Sequence, residues 1–259
     1  MVTALLLAAC TLAFGVELAI STSGGLPALI GFIERWGLIP ADLVGALGGG
    51  NLVSQPVLTV LTHMFLHGGW LHLMGNMLFL WIFAVNVEDR LGRVPFLLFY
   101  LVGGVAAAAG HILVDPASDV PMVGASGAIS AVLGAYLVLF PRARIQSLVF
   151  LVFFYELIAV PAVLVLGFWF VLQVIDGFAS LGLTGDASSG IAFWAHIGGF
   201  VAGMAMALPV RLLRGGLATG LGPGPGPVPA GLLAPAGEIE ATEAIEAVAA
   251  PPPPPPPAR

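Results

Sequence analysis

The chain has 259 residues, 59% of them hydrophobic and only 8% charged, with a formal net charge of −6. Soluble domains carry about 25% charged residues, so this composition excludes a water-soluble globular protein, and it offers no basic surface to nucleic acid. The glycines show no triplet period, which excludes collagen, and the single Cys10 excludes a disulfide scaffold. A polytopic membrane protein remains, with the lipid bilayer as its first partner.

A helix rises about 1.5 Å per residue, so crossing the ~30 Å hydrocarbon core takes roughly 20 apolar residues. Six stretches meet or approach that length, near residues 4–20, 70–87, 94–113, 124–140, 161–180 and 191–212. The first contains Leu7-Ala8-Ala9-Cys10, which looks like a lipoprotein cleavage box. No positive residue precedes it and the apolar run continues to Ile20, so it reads as a retained helix. The run from Ile145 to Ala179 is too long for one crossing. Pro161 begins the fifth span and leaves 146–158 as an interfacial or packed segment.

All eight cations are arginine. Arg90 and Arg93 follow the second span, Arg142 and Arg144 the fourth, and Arg211 and Arg214 the sixth. The opposite loops carry Asp42, Asp115, Asp119 and Asp186, with Arg35 as their only cation. The positive-inside bias then places both termini in the cytoplasm. From 215 onward the chain turns to Gly, Pro, Ala and Glu, and it includes the unbroken run Pro251 to Pro257. Such a segment makes no packed core and is expected to be a disordered cytoplasmic tail, with the proline run in polyproline II. A proline-binding partner would fit that run, although a flexible tether is the plainer reading.

Polar side chains inside a span are costly and invite a functional reading. His72 and Asn76 lie four apart near the start of the second span and share one helix face. Gly124-Ala125-Ser126-Gly127 opens the fourth, and Ala195-His196-Ile197-Gly198-Gly199 lies early in the sixth. These three spans all run inward under the arginine topology. His72, Ser126 and His196 therefore share one layer, a few ångströms below the outer surface. Gly199 and Gly203 form a small-residue seam, and Gly127 continues a similar face on the fourth span, so these helices can pack closely enough for Ser126 and His196 to meet.

A serine hydroxyl becomes a nucleophile when a base takes its proton, and histidine is the usual base near neutral pH. The oxyanion that forms needs fixed donors, and His72, Asn76 and the Ser126 backbone N–H can supply them. His63 and His67 are four apart but lack a third ligand at a convincing spacing, so no metal site is assigned and no cofactor is implied. His-Glu-x-x-His is absent, which removes a metalloprotease. Asp176 and Asp186 sit ten residues apart near one boundary, which removes an intramembrane aspartyl type. A transporter would place its polar groups near the midplane of repeated halves, whereas here they gather near one face.

Taken together, His72-x-x-x-Asn76, Gly124-Ala125-Ser126-Gly127 and Ala195-His196-Ile197-Gly198-Gly199 resemble the rhomboid family of intramembrane serine proteases. Val87-Glu88-Asp89-Arg90-Leu91-Gly92 adds to the match, which runs from about Val57 to Leu212. The resemblance implies an all-α bundle of six transmembrane helices over residues 1–214, in the bacterial cytoplasmic membrane. It also implies Ser126 as nucleophile, His196 as general base and then acid, and an oxyanion site of His72, Asn76 and Ser126. The substrates it implies are transmembrane proteins that enter from the bilayer. Some members carry a tyrosine four residues after the nucleophile; here that position is Ser130, so aromatic support for His196 must come from elsewhere or be missing. Some also have Trp-Arg in the first outer loop, where this chain has Arg35-Trp36. A catalytically silent relative that binds transmembrane clients is the alternative. Such relatives typically lose the serine or histidine, and both are present here.

Because no chemistry is assigned to residues 215–259, their deletion is expected to leave proteolysis by the membrane domain largely intact. Cleavage of a transmembrane substrate by the well-folded truncation, compared with the full chain, checks this.

Overall fold

A computed structural model describes residues 1–151, 154–181 and 192–215. Among these, α1 (Val2–Trp36) is followed by α2 (Pro40–Gly48), α3 (Gln55–Thr62) and a 3₁₀ turn over His63–Phe65. Next, α4 (Trp70–Phe79), a π-helical segment (Leu80–Ala84) and α5 (Val85–Leu91) join end to end as one apolar span. After α6 (Arg93–Val114) and α7 (Ser126–Leu139) comes a hairpin of β1 (Arg144–Leu151) and β2 (Phe154–Pro161). The described chain closes with α8 (Ala162–Ser180) and α9 (Phe193–Gly215). The predicted tail beyond 215 lies outside the described residues.

Among the described residues five helices are long and apolar enough to cross a bilayer: Val2–Trp36, Trp70–Leu91, Arg93–Val114, Ala162–Ser180 and Phe193–Leu213. They coincide with five of the six predicted spans, the first running well beyond its predicted end. The predicted fourth span is a 14-residue helix, α7, about 21 Å long and shorter than the ~30 Å core. Its brevity goes with its position. From Ala128 to Tyr136 every residue of α7 is buried, so it is the central helix of the bundle. Large apolar side chains such as Leu12, Trp81, Leu113, Phe168 and Leu212 instead face outward on the surrounding helices, as expected where the solvent is lipid.

Two elements depart from the predicted pattern. The segment 146–158 belongs to the antiparallel hairpin, with Arg144 opposite Pro161 and Leu151 opposite Phe154. Its residues are rich in Val, Ile, Phe and Tyr, which suit a strand as well as an apolar helix. The Ala162 N–H donates to the Ala143 carbonyl at 2.8 Å, closing the hairpin where the fifth crossing begins. The first helix also runs well past Ile20. It bends at Gly25 (φ 70°, ψ −172°), two residues before Pro27, a glycine and proline pairing that accounts for the kink.

Lipid tails are as apolar as leucine, so helices here associate through close packing rather than through removal of apolar surface from water. The α7–α9 contact is made backbone to backbone. A Cβ added at Gly199 would collide with the Gly127 carbonyl oxygen, one at Gly203 with that of Ala131, and one at Gly134 with that of Phe200. On the α6 side, the Gly110 and Gly198 backbones meet, with room for no Cβ at either. The three helices α6, α7 and α9 thus form a tight inner layer, and the remaining spans flank it.

Glu88 ties the second span to the first: it accepts hydrogen bonds from the first turn of α1. Its donors are the Val2 N–H at 2.7 Å, the Thr3 N–H at 2.8 Å and the Thr3 hydroxyl at 2.6 Å. Helix starts leave N–H groups without intrahelical partners, and α1 has no side-chain cap of its own. A carboxylate brought from the second span satisfies them and suits the positive end of the helix dipole.

Replacing Glu88 by alanine strands three donors that are buried or partly buried. Glu88→Ala is expected to destabilise the membrane domain by about 2–3 kcal/mol. A lowered midpoint in a thermal or denaturant titration in detergent, with Thr3→Val giving a smaller fall, checks this.

Candidate active site

Ser126 is the first residue of α7, and that start is held in place by the loops around it. Leu38 and Met122 exchange backbone hydrogen bonds at 3.0 and 2.8 Å, and the Gly124 N–H donates to the His63 carbonyl at 2.9 Å. Gly124 has φ +128°, a conformation that L-residues rarely adopt. It turns the chain into α7 so that the Ser126 backbone N–H lies in the first turn, among the donors that an α-helix leaves unpaired. His196 lies in the first turn of α9, where its N–H bonds the Ala192 carbonyl at 3.2 Å. With α9 fixed against α7 by the glycine contacts, the two side chains meet: His196 Nε2 stands 2.8 Å from Ser126 Oγ.

His72 and Asn76 project from α4 toward the same place. His72 Nδ1 accepts a long hydrogen bond of 3.4 Å from the Gly68 N–H, which leaves the ring proton on Nε2. That Nε2 lies close over Gly124, where a Cβ would come within 2.7 Å of it and 3.5 Å of Ser126 Oγ. Asn76 is buried, and its amide nitrogen has no hydrogen-bond partner among the described residues. Together with Ser126 and His196 they line a cavity of about 210 Å³ whose deeper wall includes Ser130 and Trp169. A cavity of ~150 Å³ accepts a benzene ring, so this one has room for a side chain and the carbonyl beside it. A hydroxyl on a base, facing a cavity with unspent N–H donors, can attack a carbonyl and stabilise the charge that forms.

The residues assigned from sequence are therefore brought together: Ser126, His196, His72 and Asn76 share one cavity, and Gly127, Gly199 and Gly203 lie in the helix seam beneath it. Ser130 turns away from aromatic duty. Its hydroxyl donates to the Ser126 carbonyl at 2.6 Å, one turn back along α7. The aromatic neighbour of His196 comes from α8 instead, where the Trp169 ring lies 6.1 Å away, centroid to centroid, at 36°. One turn further along α8, Gln173 Oε1 meets His196 Nδ1 at 2.7 Å. Neither residue was anticipated. The available signal was Gln173 itself, an amide inside an apolar span, four residues after a tryptophan.

Two further histidines, His63 and His67, lie just before His72 in the chain. His63 is buried, with Nδ1 on the Thr59 carbonyl at 2.8 Å, and burial pushes it down to about 4. His67 packs edge-on against His72, with ring centroids 5.3 Å apart. Burial, and secondarily the neighbouring His72, hold it near 4 as well. Both are therefore neutral at physiological pH. Glu17, on α1, is buried and accepts the His67 N–H at 3.0 Å, so it ties the first helix to this loop rather than reaching the headgroups.

The chain is similar to known proteins over much of its length. The family model described as Rhomboid domain matches residues 54–212. The chain is 35% identical over 150 residues to "Rhomboid protease GluP" of Bacillus subtilis (strain 168), which covers 58% of this chain and 26% of that protein. It is 30% identical over 140 residues to "Rhomboid protein 1, mitochondrial" of Saccharomyces cerevisiae, covering 52% of this chain and 38% of the other. To "Rhomboid-like protease 3" of Toxoplasma gondii it is 29% identical over 164 residues, covering 63% and 56%. The chain thus spans between about a quarter and somewhat over half of the length of these relatives.

The crowding at Gly124 yields a test of the geometry. Gly124→Ala forces a Cβ against His72 Nε2 in a strained backbone conformation. It is expected to slow the reaction of Ser126 with a fluorophosphonate on the order of 10- to 100-fold, the scale of effect that misplacing reacting groups by about an ångström produces. Time-resolved labelling of the purified protein measures it.

Proposed function

This chain belongs to the rhomboid family, and from that premise we propose that it is an intramembrane serine endopeptidase that cleaves transmembrane-helix substrates near the outer face of the bilayer. The observation that carries the reading is the 2.8 Å contact between Ser126 Oγ and His196 Nε2, across two helices that glycine packing holds together. In this reading residues 1–214 are the membrane domain, with its catalytic core about 57–212. The arginine pattern then puts both termini, and the tail from 215, in the cytoplasm of a bacterial cell.

The steps follow from the chain's own groups. A substrate carbonyl enters the cavity beside Ser126. The Ser126 hydroxyl gives its proton to His196 Nε2 as its oxygen bonds to the carbonyl carbon, and the carbonyl oxygen takes the negative charge. The Ser126 N–H, the His72 Nε2–H and the Asn76 amide face that oxygen and stabilise it. His196 then returns the proton to the leaving amine, the peptide C–N bond breaks, and an acyl-enzyme remains on Ser126. Water, deprotonated by His196, attacks the acyl carbon, and release of the acid regenerates the hydroxyl. The shallow position of the layer lets that water reach the site from outside. Among the described residues the partner of His196 Nδ1 is the neutral Gln173, which suits a site among membrane helices, where a charge is costly to hold.

Purified wild type, Ser126→Ala and His196→Ala in liposomes, given several transmembrane substrates, test this directly. Both variants are expected to lose cleavage by about 10³-fold or more, and Ser126→Ala to lose fluorophosphonate labelling altogether. Wild-type cleavage by Ser126→Ala overturns the mechanism. A folded wild type that neither labels nor cuts favours instead a client-binding role.

A further inference from the structure

Gln173 has no part in the steps above, yet its side chain reaches the group on which they turn. It lies on α8, inside an apolar span. Its Oε1 is 2.7 Å from His196 Nδ1, while the other ring nitrogen of His196 faces Ser126 Oγ at 2.8 Å. A neutral imidazole carries one proton on one of two nitrogens, and the hydrogen bond at the far nitrogen decides which. An amide oxygen only accepts, so His196 Nδ1–H donates to Gln173 and the Nε2 lone pair is left for the serine hydroxyl. In the other tautomer Nε2 would carry the proton and could only donate toward Ser126, which leaves the hydroxyl without a base. Trp169 stands four residues earlier on the same face of α8, with its ring alongside that of His196, so the one helix both bounds the imidazole and fixes its proton.

We propose that Gln173 is a positioning residue that holds His196 in the Nδ1–H tautomer and in the orientation that serves Ser126. The proposal rests on the endopeptidase reading. Gln173 does for this base what a buried carboxylate would do, with a neutral acceptor that places no charge among the membrane helices. Its helix is distinct from those that carry Ser126, His196, His72 and Asn76, so the competence of the base depends on α8 being seated against α9.

The test compares the full-length wild type with Gln173→Met, Gln173→Asn and Gln173→Glu, by substrate kinetics and by rate and final stoichiometry of fluorophosphonate labelling. Methionine keeps the size and loses the acceptor; asparagine keeps the amide and falls one methylene short; glutamate keeps an acceptor at the same reach. Gln173→Met and Gln173→Asn are expected to lower kcat and the labelling rate roughly 10- to 100-fold, with KM within about twofold and labelling still reaching one probe per chain. Gln173→Glu is expected to recover most of that loss. Full stoichiometry separates a slow base from a misfolded protein, and the asparagine variant carries the test if the methionine variant labels incompletely. Wild-type kcat in Gln173→Met or Gln173→Asn, or an equal loss in all three, overturns the proposal. Cleavage that survives Ser126→Ala overturns the endopeptidase reading itself.

Discussion

The arrangement depends on the backbone-to-backbone contact of α7 with α9. Ser126 and His196 come from helices 70 residues apart in the chain, and their side chains together reach only a few ångströms. A hydrogen bond of 2.8 Å between them needs helix axes closer than ordinary side chains allow, and the missing Cβ atoms at Gly199, Gly203 and Gly134 supply that approach. Within a bilayer such contacts also supply cohesion, since dispersion and weak Cα–H to carbonyl contacts replace the hydrophobic effect between helices. The same feature thus holds the inner layer together and sets the distance between Ser126 Oγ and His196 Nε2.

Around that seam, polar groups perform fixed structural tasks at the two ends of the bundle. At one end the Glu88 carboxylate receives the first turn of α1. At the other, Glu17 holds the His67 N–H, and the His63 carbonyl holds Gly124. Each pairs a backbone group that would otherwise be stranded in a medium without water. The contacts at that second end also hold the loop carrying His63 and His67, and with it His72, next to the start of α7. The wall behind the site is therefore a hydrogen-bonded loop rather than a helix, which is how backbone of irregular shape persists at that depth.

Much of this was legible in the sequence because hydrocarbon is a strict solvent. Apolar length located the spans to within a few residues, apart from the extension of α1 past Ile20 and the shortness of α7. Polar interruptions of those runs pointed to His72, Asn76, Ser126 and His196, which the fold gathers around one cavity. What was missed obeys weaker rules. Gln173 is uncharged and does not break an apolar run, so it left the span of α8 intact and drew no attention. The hairpin at Arg144–Pro161 is built of Val, Ile, Leu and Phe, and periodicity alone does not separate a short apolar strand from a helix. Nothing in the sequence around Glu88 points to α1, more than 80 residues earlier. Ser130 left open whether His196 had aromatic support at all, and only the packing of α8 reveals Trp169.

The π-helical segment at Leu80–Ala84 has a consequence for how the second span can vary. Each residue of an α-helix advances about 100° around the axis, and a π turn absorbs one residue more than an α turn. The segment therefore sets the rotational phase between two halves of one helix, the half that aims His72 and Asn76 at the cavity and the half that aims Glu88 at α1. Wound as regular α-helix, the same number of residues would turn one half by about 100° relative to the other, so that either the polar pair or the carboxylate would face away from its partner. The local change of pitch lets one continuous helix serve two partners on different sides.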